Sequence, residues 1–151
     1  MSEDNAMKFS SAEVQLVLHA TEDPGKVLAA VEKALPVPAA SFEGEQSEGH
    51  YGNAIVLLRA TISGRDAGAL AIKIISAFNR LDRQELYDHL EEYSDEKGSL
   101  YLRLDKQRLC QGKVSLAESD AVRVKFKPVH RYHKPSGSSL EIYRGLLSSI
   151  D

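Results

Sequence analysis

Two runs of alternating apolar and polar residues constrain this chain more than any other feature. The first covers residues 100–107 and places leucine at every second position from Leu100 to Leu104. The second covers residues 122–127 and alternates valine or phenylalanine with arginine or lysine. Alternation of this kind has the period of a half-buried β-strand. If the two strands pair, their apolar side chains face the core and their polar side chains share the other face.

The polar side chains of these two runs are strongly basic. Arg103 would share a sheet face with Arg123, Lys125 and Lys127, and Tyr101 would stand among them. Such a surface suits a phosphate backbone, with the aromatic ring placed to stack on a base. The alternative is that exposed strand positions are basic for solubility and edge protection. The strands alone leave both interpretations open.

Composition sets the scale of the molecule. The 151 residues are 42% hydrophobic and 27% charged, which suits one globular domain with a sizeable core. The formal net charge of −3 argues against a nucleic-acid binder, but the charge is unevenly spread. Residues 99–151 hold ten basic and five acidic residues and carry +5, so the remainder carries −8. A basic C-terminal third can bind a polyanion despite an acidic total, although chance segregation of surface charge explains the same count.

The local patterns predict an α+β fold with a mixed or antiparallel sheet and helices packed on one face. We expect a single domain over residues 12–151 and a flexible segment at 1–11. Predicted strands lie at 14–20, 42–48, 54–62, 100–107 and 122–127, with 110–116 a candidate strand between the last two. The nearly continuous apolar run 54–62 predicts a central strand covered on both faces, or nearly so. Predicted helices lie at 24–35, at 66–78, from Asp82 onward as a capping-box-like start, and at 138–150.

A glycine-bracketed turn at residues 49–53 is a second candidate contact. Gly52 would let a sugar-phosphate approach the backbone closely, and His50 and Asn53 would donate hydrogen bonds. An ordinary hairpin turn explains the glycines and Asn53 equally well. It does not require His50 or Tyr51, so both interpretations stand.

The residues at the end of the predicted strand 100–107 carry no catalytic signal. A carboxylate beside a lysine, as in Asp105 and Lys106, is usually a surface ion pair worth ~0–1 kcal/mol. We expect Asp105 to orient a neighbouring basic residue or to cap the following turn. Gln107 is a candidate reader of a base edge or a 2′-hydroxyl group. His130 and His133 have the spacing of a metal pair, but no third ligand lies near them.

Several protein classes lack their sequence signals here. Cys110 is the single cysteine, which excludes an internal disulfide and a thiolate zinc site and is consistent with a reducing cytosol. No apolar run approaches the ~20 residues that span a bilayer. The first five residues are acidic, unlike a signal peptide. There is no P-loop, dinucleotide motif or nucleophile–base spacing.

Three segments together resemble a family of small archaeal RNA-binding proteins, some of them described as predicted exosome-associated subunits. The segments are 48–53, 100–107 and 122–126, and the resemblance runs from about Val14 to Ile150. It implies a fold like that of the ribosomal protein that holds 5S RNA, and RNA binding without catalysis. The residues that match the family motif are His50, Gly52, Asn53, Arg103, Asp105, Lys106 and Gln107.

We therefore predict a cytoplasmic, non-catalytic RNA-binding protein with no cofactor and no metal, whose partners are RNA and exosome or ribosomal components. The predicted contact residues are His50, Tyr51, Gly52, Asn53, Tyr101, Arg103, Asp105, Lys106, Gln107, Arg108, Arg123, Lys125, Lys127 and Arg131. The alternative is a protein–protein adaptor in an RNA-processing or ribosomal assembly, using the acidic N-terminal two-thirds. A hydrolase or nuclease ranks last, because clustered carboxylates are missing. The sequence leaves the RNA type and the oligomeric state open.

Overall fold

A computed structural model describes residues 9–48, 54–117, 119–129 and 143–148. The strands are β1 (Phe9–His19), β2 (Glu43–Glu48), β3 (Ala54–Ser63), β4 (Leu100–Asp105) and β5 (Ala121–Pro128). The helices are α1 (Pro24–Ala34), α2 (Gly64–Ala77), α3 (Arg80–Asp88) and α4 (Lys106–Cys110), with 3-10 turns at Ala39–Ser41 and Leu90–Tyr93. Residues 143–148 are also helical. These elements confirm the predicted α+β class.

The five strands form one sheet in the order β2-β3-β1-β5-β4. Every neighbouring pair is antiparallel, so the sheet is antiparallel rather than mixed. The first strand of the chain therefore lies in the centre of the sheet. The two strands that carry the alternating runs, β4 and β5, are neighbours, so the pairing that the shared basic face requires is present.

One face of the sheet carries the hydrophobic core. Leu102 on β4 lies opposite Val124 on β5, and both are essentially fully buried. The helices α1 and α2 contribute their apolar stripes to the same core. The buried helix residues are Val27 and Val31 on α1, and Ala67, Leu70, Ala71, Ile74 and Ile75 on α2. Burial of alternate strand residues on this side turns the intervening polar residues to the opposite side.

The N-terminal strand begins earlier than the sequence pattern indicated. β1 starts at Phe9, which lies within the segment 1–11 that was predicted to be flexible. Phe9 is only 3% exposed, and its ring lies 5.1 Å from that of Phe126 and 6.2 Å from that of Tyr143. Distant aromatic residues thus hold this end of the chain, and no local signal could reveal them.

The prediction that β3 is covered on both faces is wrong. β3 is the second strand from the edge, between β2 and β1. Leu58 and Ala60 are buried, but Arg59 and Thr61, which alternate with them, are exposed. The near-continuous apolar run therefore conceals an alternation of buried and more exposed residues over 58–63, whereas residues 55–57 are all half-buried.

The start of α3 also differs from the prediction. Asn79 is its N-cap, and the Asn79 side-chain oxygen accepts a hydrogen bond from the Asp82 N–H at 2.8 Å. The helix therefore begins at Arg80, and the predicted start at Asp82 is wrong. The Asp82 carboxylate instead accepts a hydrogen bond from the Leu116 N–H at 3.2 Å, across the fold.

The connection between β4 and β5 is a short helix rather than a third strand. Asp105 ends β4 and caps α4, since its Oδ1 accepts from the Arg108 N–H at 3.0 Å. Lys106 and Gln107 are therefore helical, so the predicted strand 100–107 is two residues too long. The predicted strand 110–116 is reduced to a single bridge between Leu104 and Leu116. That bridge covers the outer edge of β4.

A buried lysine cluster, made of Lys106, Glu22 and Asp120, joins α4 to β1 and β5. Lys106 is only 1% exposed, and its Nζ lies 2.7 Å from Glu22 Oε1 and 3.0 Å from Asp120 Oδ1. The same Nζ donates to the carbonyl oxygen of Val17 at 2.8 Å. A desolvated ammonium group needs such partners, and here it has three.

The two carboxyl groups of this cluster have lowered pKa values. Desolvation raises the pKa of Glu22, but the hydrogen bonds from Lys106 and from the His19 N–H, with the Lys106 charge, bring it below 4.5. Desolvation also raises the pKa of Asp120, and contacts with Lys106 and His19 outweigh that effect and bring it below 3.8. Both carboxyl groups are therefore ionised in the folded protein at neutral pH.

None of the helices in the described ranges has the length and apolar character needed to cross a membrane.

Substitution of two glycines should have opposite effects on stability. A Cβ atom at Gly64 would lie 2.6 Å from the carbonyl oxygen of Phe9, whereas one at Gly145 meets no atom within 4 Å. We expect Gly64→Ala to lower the free energy of unfolding by about 1–3 kcal/mol, because the backbone at Phe9 must move to make room for the methyl group. Gly145→Ala should leave it unchanged or raise it by about 0.5–1 kcal/mol. Urea unfolding of both variants measures this, and equal effects would contradict the close approach.

Removal of the buried ammonium group should destabilise the fold in a pH-dependent way. We expect Lys106→Met to lower the free energy of unfolding by about 2–3 kcal/mol at neutral pH, because two carboxylates lose their cation. The folded-state pKa values of Glu22 and Asp120 lie below the ordinary values of 4.5 and 3.8. The extra stability of the wild type is therefore complete when the pH is above these ordinary values. It should shrink as the pH falls through the lowered pKa values.

Urea unfolding at neutral and acidic pH measures the difference between wild type and Lys106→Met. The matched control is Lys113→Met, at an exposed lysine of the same region, which should change stability little. A difference that stays constant down to acidic pH would contradict the role of the two carboxylates.

Candidate functional site

The sheet face opposite the helices carries a row of polar side chains that crosses four strands. Arg103 on β4 lies opposite Arg123 on β5, which lies opposite Gln15 on β1, which lies opposite Arg59 on β3. We call these four residues the arginine row. With adjacent strands about 4.8 Å apart, the row spans about 14 Å, perpendicular to the strands.

The two arginines at the β4 end of the row have no acidic partner among the residues that the structure describes. Arg103 and Arg123 are both exposed, and neither forms an ion pair with any carboxylate in the described part of the chain. Like charges directly opposite each other in a sheet repel and destabilise it. Arg59, at the other end, is partly neutralised because its Nε lies 3.4 Å from Glu13 Oε1. An anion bound near Arg103 and Arg123 would relieve their repulsion.

A second row runs beside the first and begins with Tyr101. Tyr101 lies opposite Lys125, and the Lys125 ammonium group stands over the tyrosine ring, 5.2 Å from its centroid. The Tyr101 hydroxyl donates to Asp95 Oδ2 at 2.8 Å. The ring is therefore fixed at its polar tip and covered by a cation on one face.

The charges around Tyr101 shift the pKa values of its neighbours. Interaction with Tyr101 raises the pKa of Lys125 and outweighs the desolvation that lowers it, and the charges of Asp95 and Glu13 raise it further. Desolvation raises the pKa of Asp95, but hydrogen bonds from Tyr101 and from the N–H groups of Ser99 and Lys97 outweigh it and lower the pKa. Lys125 and Asp95 are both charged near neutral pH.

These side chains enclose two adjoining depressions on the open face. The larger is a groove of about 750 Å³, lined by Tyr101, Arg103, Arg123, Lys125 and other residues that include the acids Glu13 and Glu92. The smaller, which we call the apolar hollow, has a volume of about 360 Å³. It is lined by Gln15, Leu16, Val17, His19, Leu57, Asp120, Ala121 and Arg123. Gln15 and Arg123 belong to both depressions and lie between them.

The structure brings only part of the predicted contact set together. Tyr101, Arg103, Arg123 and Lys125 line one groove, and Lys127, exposed on the same strand, continues the alternation of β5.

Lys106 and Asp105 have other contacts within the chain. Lys106 is enclosed in the buried lysine cluster, where a phosphate cannot reach its ammonium group without local opening. Asp105 caps α4, which was one of the roles expected for it. Gln107 and Arg108 are exposed on α4, a helix that contacts α1 and does not belong to the sheet face.

Five residues of the predicted set lie outside the described residues. They are His50, Tyr51, Gly52, Asn53 and Arg131.

Sequence reasoning missed several polar residues of the open face, among them Gln15, Arg59 and Glu13. Gln15 and Arg59 complete the arginine row, and Glu13 lies between Lys125 and Thr61 in the neighbouring row. Each interrupts an apolar strand segment at an outward position, which is a detectable signal. Their alignment with Arg123 depends on strand pairing and is not visible locally.

The chain is similar to known RNA-binding proteins. A family model described as RNA binding matches residues 11–128. An RNA-binding protein of Pyrococcus abyssi, PAB1135, is 35% identical over 120 residues, which cover 76% of this chain and 78% of the relative.

Solved structures extend the likeness to the fold. Mth689, a DUF54 protein from Methanothermobacter thermautotrophicus, is 31% identical, with a TM-score of 0.76 over 93% of this chain and 98% of that protein. AF2318 from Archaeoglobus fulgidus, also of DUF54, is 29% identical, with a TM-score of 0.77 over 92% and 99% of the two chains. With the family model covering most of its length, the chain belongs to this archaeal RNA-binding family.

Proposed function

We propose that this protein binds RNA, without catalysing a reaction, through the open face of its sheet. Family membership supports RNA as the ligand class. The observation that carries the choice of surface is the pair Arg103 and Arg123, which lie directly opposite each other with no described carboxylate as partner. A phosphodiester fits between two guanidinium groups because each presents a fork of N–H donors to phosphate oxygens.

Lys125 and Tyr101 extend this phosphate contact along β5 and β4. Lys125 adds a positive charge within the same groove, and Asp95 holds the Tyr101 ring in place. Because Lys125 covers one face of that ring, a base that stacks on Tyr101 must use the other face or displace the lysine. We therefore assign affinity to the basic groups and only limited selectivity to Tyr101.

Neutralised phosphates should make binding strongly dependent on salt. Charge reversal of two groove residues, Arg123→Glu with Lys125→Glu, should weaken binding of a single-stranded oligonucleotide about tenfold or more. It should also reduce the magnitude of the salt slope by about 1.4, since each phosphate contact contributes about 0.7 for a single strand. Fluorescence anisotropy across a salt series measures both effects.

A matched control distinguishes the loss of this surface from the change in net charge of the protein. Arg65→Glu with Lys73→Glu makes the same change in net charge at two exposed positions of α2, in the helical layer. That variant should bind RNA almost as well as wild type. Equal loss in both double variants would indicate a general charge effect, and no loss in the groove variant, with the fold intact, would refute the proposed surface.

We propose that the RNA is an exosome substrate or a ribosomal RNA, that the protein acts in the cytoplasm, and that it uses neither a cofactor nor a metal. Incubation of labelled RNA with the protein, with and without magnesium, tests the non-catalytic assignment, because a nuclease would shorten the RNA.

An adaptor that binds another protein through acidic residues is the alternative. Glu91 and Glu85, two acids of that surface, already have contacts within the chain. Glu91 Oε1 lies 2.9 Å from Arg144 Nη2, and Glu85 Oε2 accepts from the Tyr93 hydroxyl at 3.0 Å. These contacts connect the helical segment 143–148 and α3 to the 3-10 turn Leu90–Tyr93. Both acids therefore have intramolecular contacts, which a role in binding a partner does not require. The absence of RNA binding at low salt would favour the adaptor.

A further inference from the structure

The apolar hollow beside the arginine row differs from the rest of the open face. Val17, Leu57 and Ala121 give it an apolar floor, whereas the groove on the other side of Arg123 has five charged residues among the eleven that line it. On β1 and β3, Val17 and Leu57 lie opposite each other, two residues along from Gln15 and Arg59. An exposed apolar hollow next to a basic row combines two kinds of surface in one continuous site.

The rim of the hollow is polar. His19 Nε2 lies 3.4 Å from Asp120 Oδ1, and both side chains line the hollow. Asp120 is in turn fixed by Lys106 at 3.0 Å, and the same ammonium group holds the Val17 carbonyl at 2.8 Å. The buried lysine cluster therefore anchors both the floor and the rim, which gives the hollow a preformed shape.

This arrangement matches the chemistry of a nucleotide. A nucleobase has an apolar face that packs on aliphatic or aromatic side chains and polar edges that need hydrogen-bonding groups. The phosphate attached to it carries a negative charge, and Arg123 and Arg103 have no carboxylate partner among the described residues. Residues two apart on a strand are about 6.7 Å apart, so the step from the arginine row to the hollow is short enough for one nucleotide.

We infer that the apolar hollow is a subsite for one unpaired nucleobase whose phosphate lies on the arginine row. The inference rests on the proposed RNA-binding function and narrows its ligand to RNA with an unstacked base. A base within a duplex is stacked and paired, so it cannot present its face to a shallow hollow in the sheet.

The test compares oligonucleotides that differ only in their bases. Wild-type protein is titrated with a single-stranded RNA, with an abasic ribose-phosphate strand of equal length, and with an RNA duplex. We expect the base-bearing single strand to bind about tenfold more tightly than the abasic strand. Because this comparison uses the unaltered protein, it does not depend on the folding of a variant.

A substitution in the apolar hollow then tests whether this difference in affinity arises there. Leu57→Asn makes the floor of the hollow polar without changing charge, and Leu81→Asn makes the same change at a residue that is 79% exposed on α3. Leu57→Asn should remove most of the preference for the base-bearing strand while leaving the salt slope and the affinity for the abasic strand unchanged. Leu81→Asn should behave as wild type.

The outcomes separate the inference from the function on which it rests. Equal binding of base-bearing and abasic strands, tighter binding of the duplex, or an undiminished base preference in Leu57→Asn would refute the base subsite and leave RNA binding intact. Failure of all three ligands to bind at low salt would refute both.

Discussion

The register of β5 between β1 and β4 determines which side chains meet on each face of the sheet. On the core side Val124 lies between Val14 and Leu102, and all three are buried. One residue along, Arg123 lies between Gln15 and Arg103 on the open side. A slip of one residue would expose the apolar set and bury the basic one, so core packing enforces the register. The arginine row is thus a consequence of burying valines and leucines.

The buried lysine cluster is the second constraint on this face. A single ammonium group contacts a carboxylate that follows β1, a carboxylate that precedes β5 and a carbonyl oxygen within β1. It joins segments that are distant in the chain at the end of the sheet where the apolar hollow lies. The cost of desolvating Lys106 is offset only when these partners are in place, which makes the local geometry well defined.

The distribution of charge over the open face is uneven and explains how an acidic protein can present a basic surface. Arg103, Arg123 and Lys125 lie towards β4 and β5, whereas Glu43 and Glu45 lie on the exposed edge strand β2. In the proposed binding mode, the basic end would attract phosphates and the acidic edge would repel them, so a bound strand would be confined to one part of the face. Acidic residues on β2 also discourage pairing with another sheet edge.

Much of the fold and the centre of the candidate site followed from period-two patterns. Alternation in 100–105 and 122–127 correctly predicted two strands, and their pairing placed Arg103, Lys125 and Tyr101 on one face. Errors arose where a single side chain redirected the backbone. Asp105 caps the helix α4, so β4 ends there instead of continuing to Gln107. Asn79, rather than Asp82, is the N-cap of α3. Such caps are short-range alternatives of similar energy, so the pattern alone does not choose among them.

The sequence by itself determined which residues of each strand are apolar and which are polar, because the alternation of side chains is a local property of extended backbone. Tertiary structure decided which polar residues become neighbours. The alignment of Gln15 and Arg59 with Arg123, and the burial of Lys106 away from the basic surface, arise from contacts between distant segments. Strand order and register fix those contacts, and both depend on packing of the whole core rather than on any one segment.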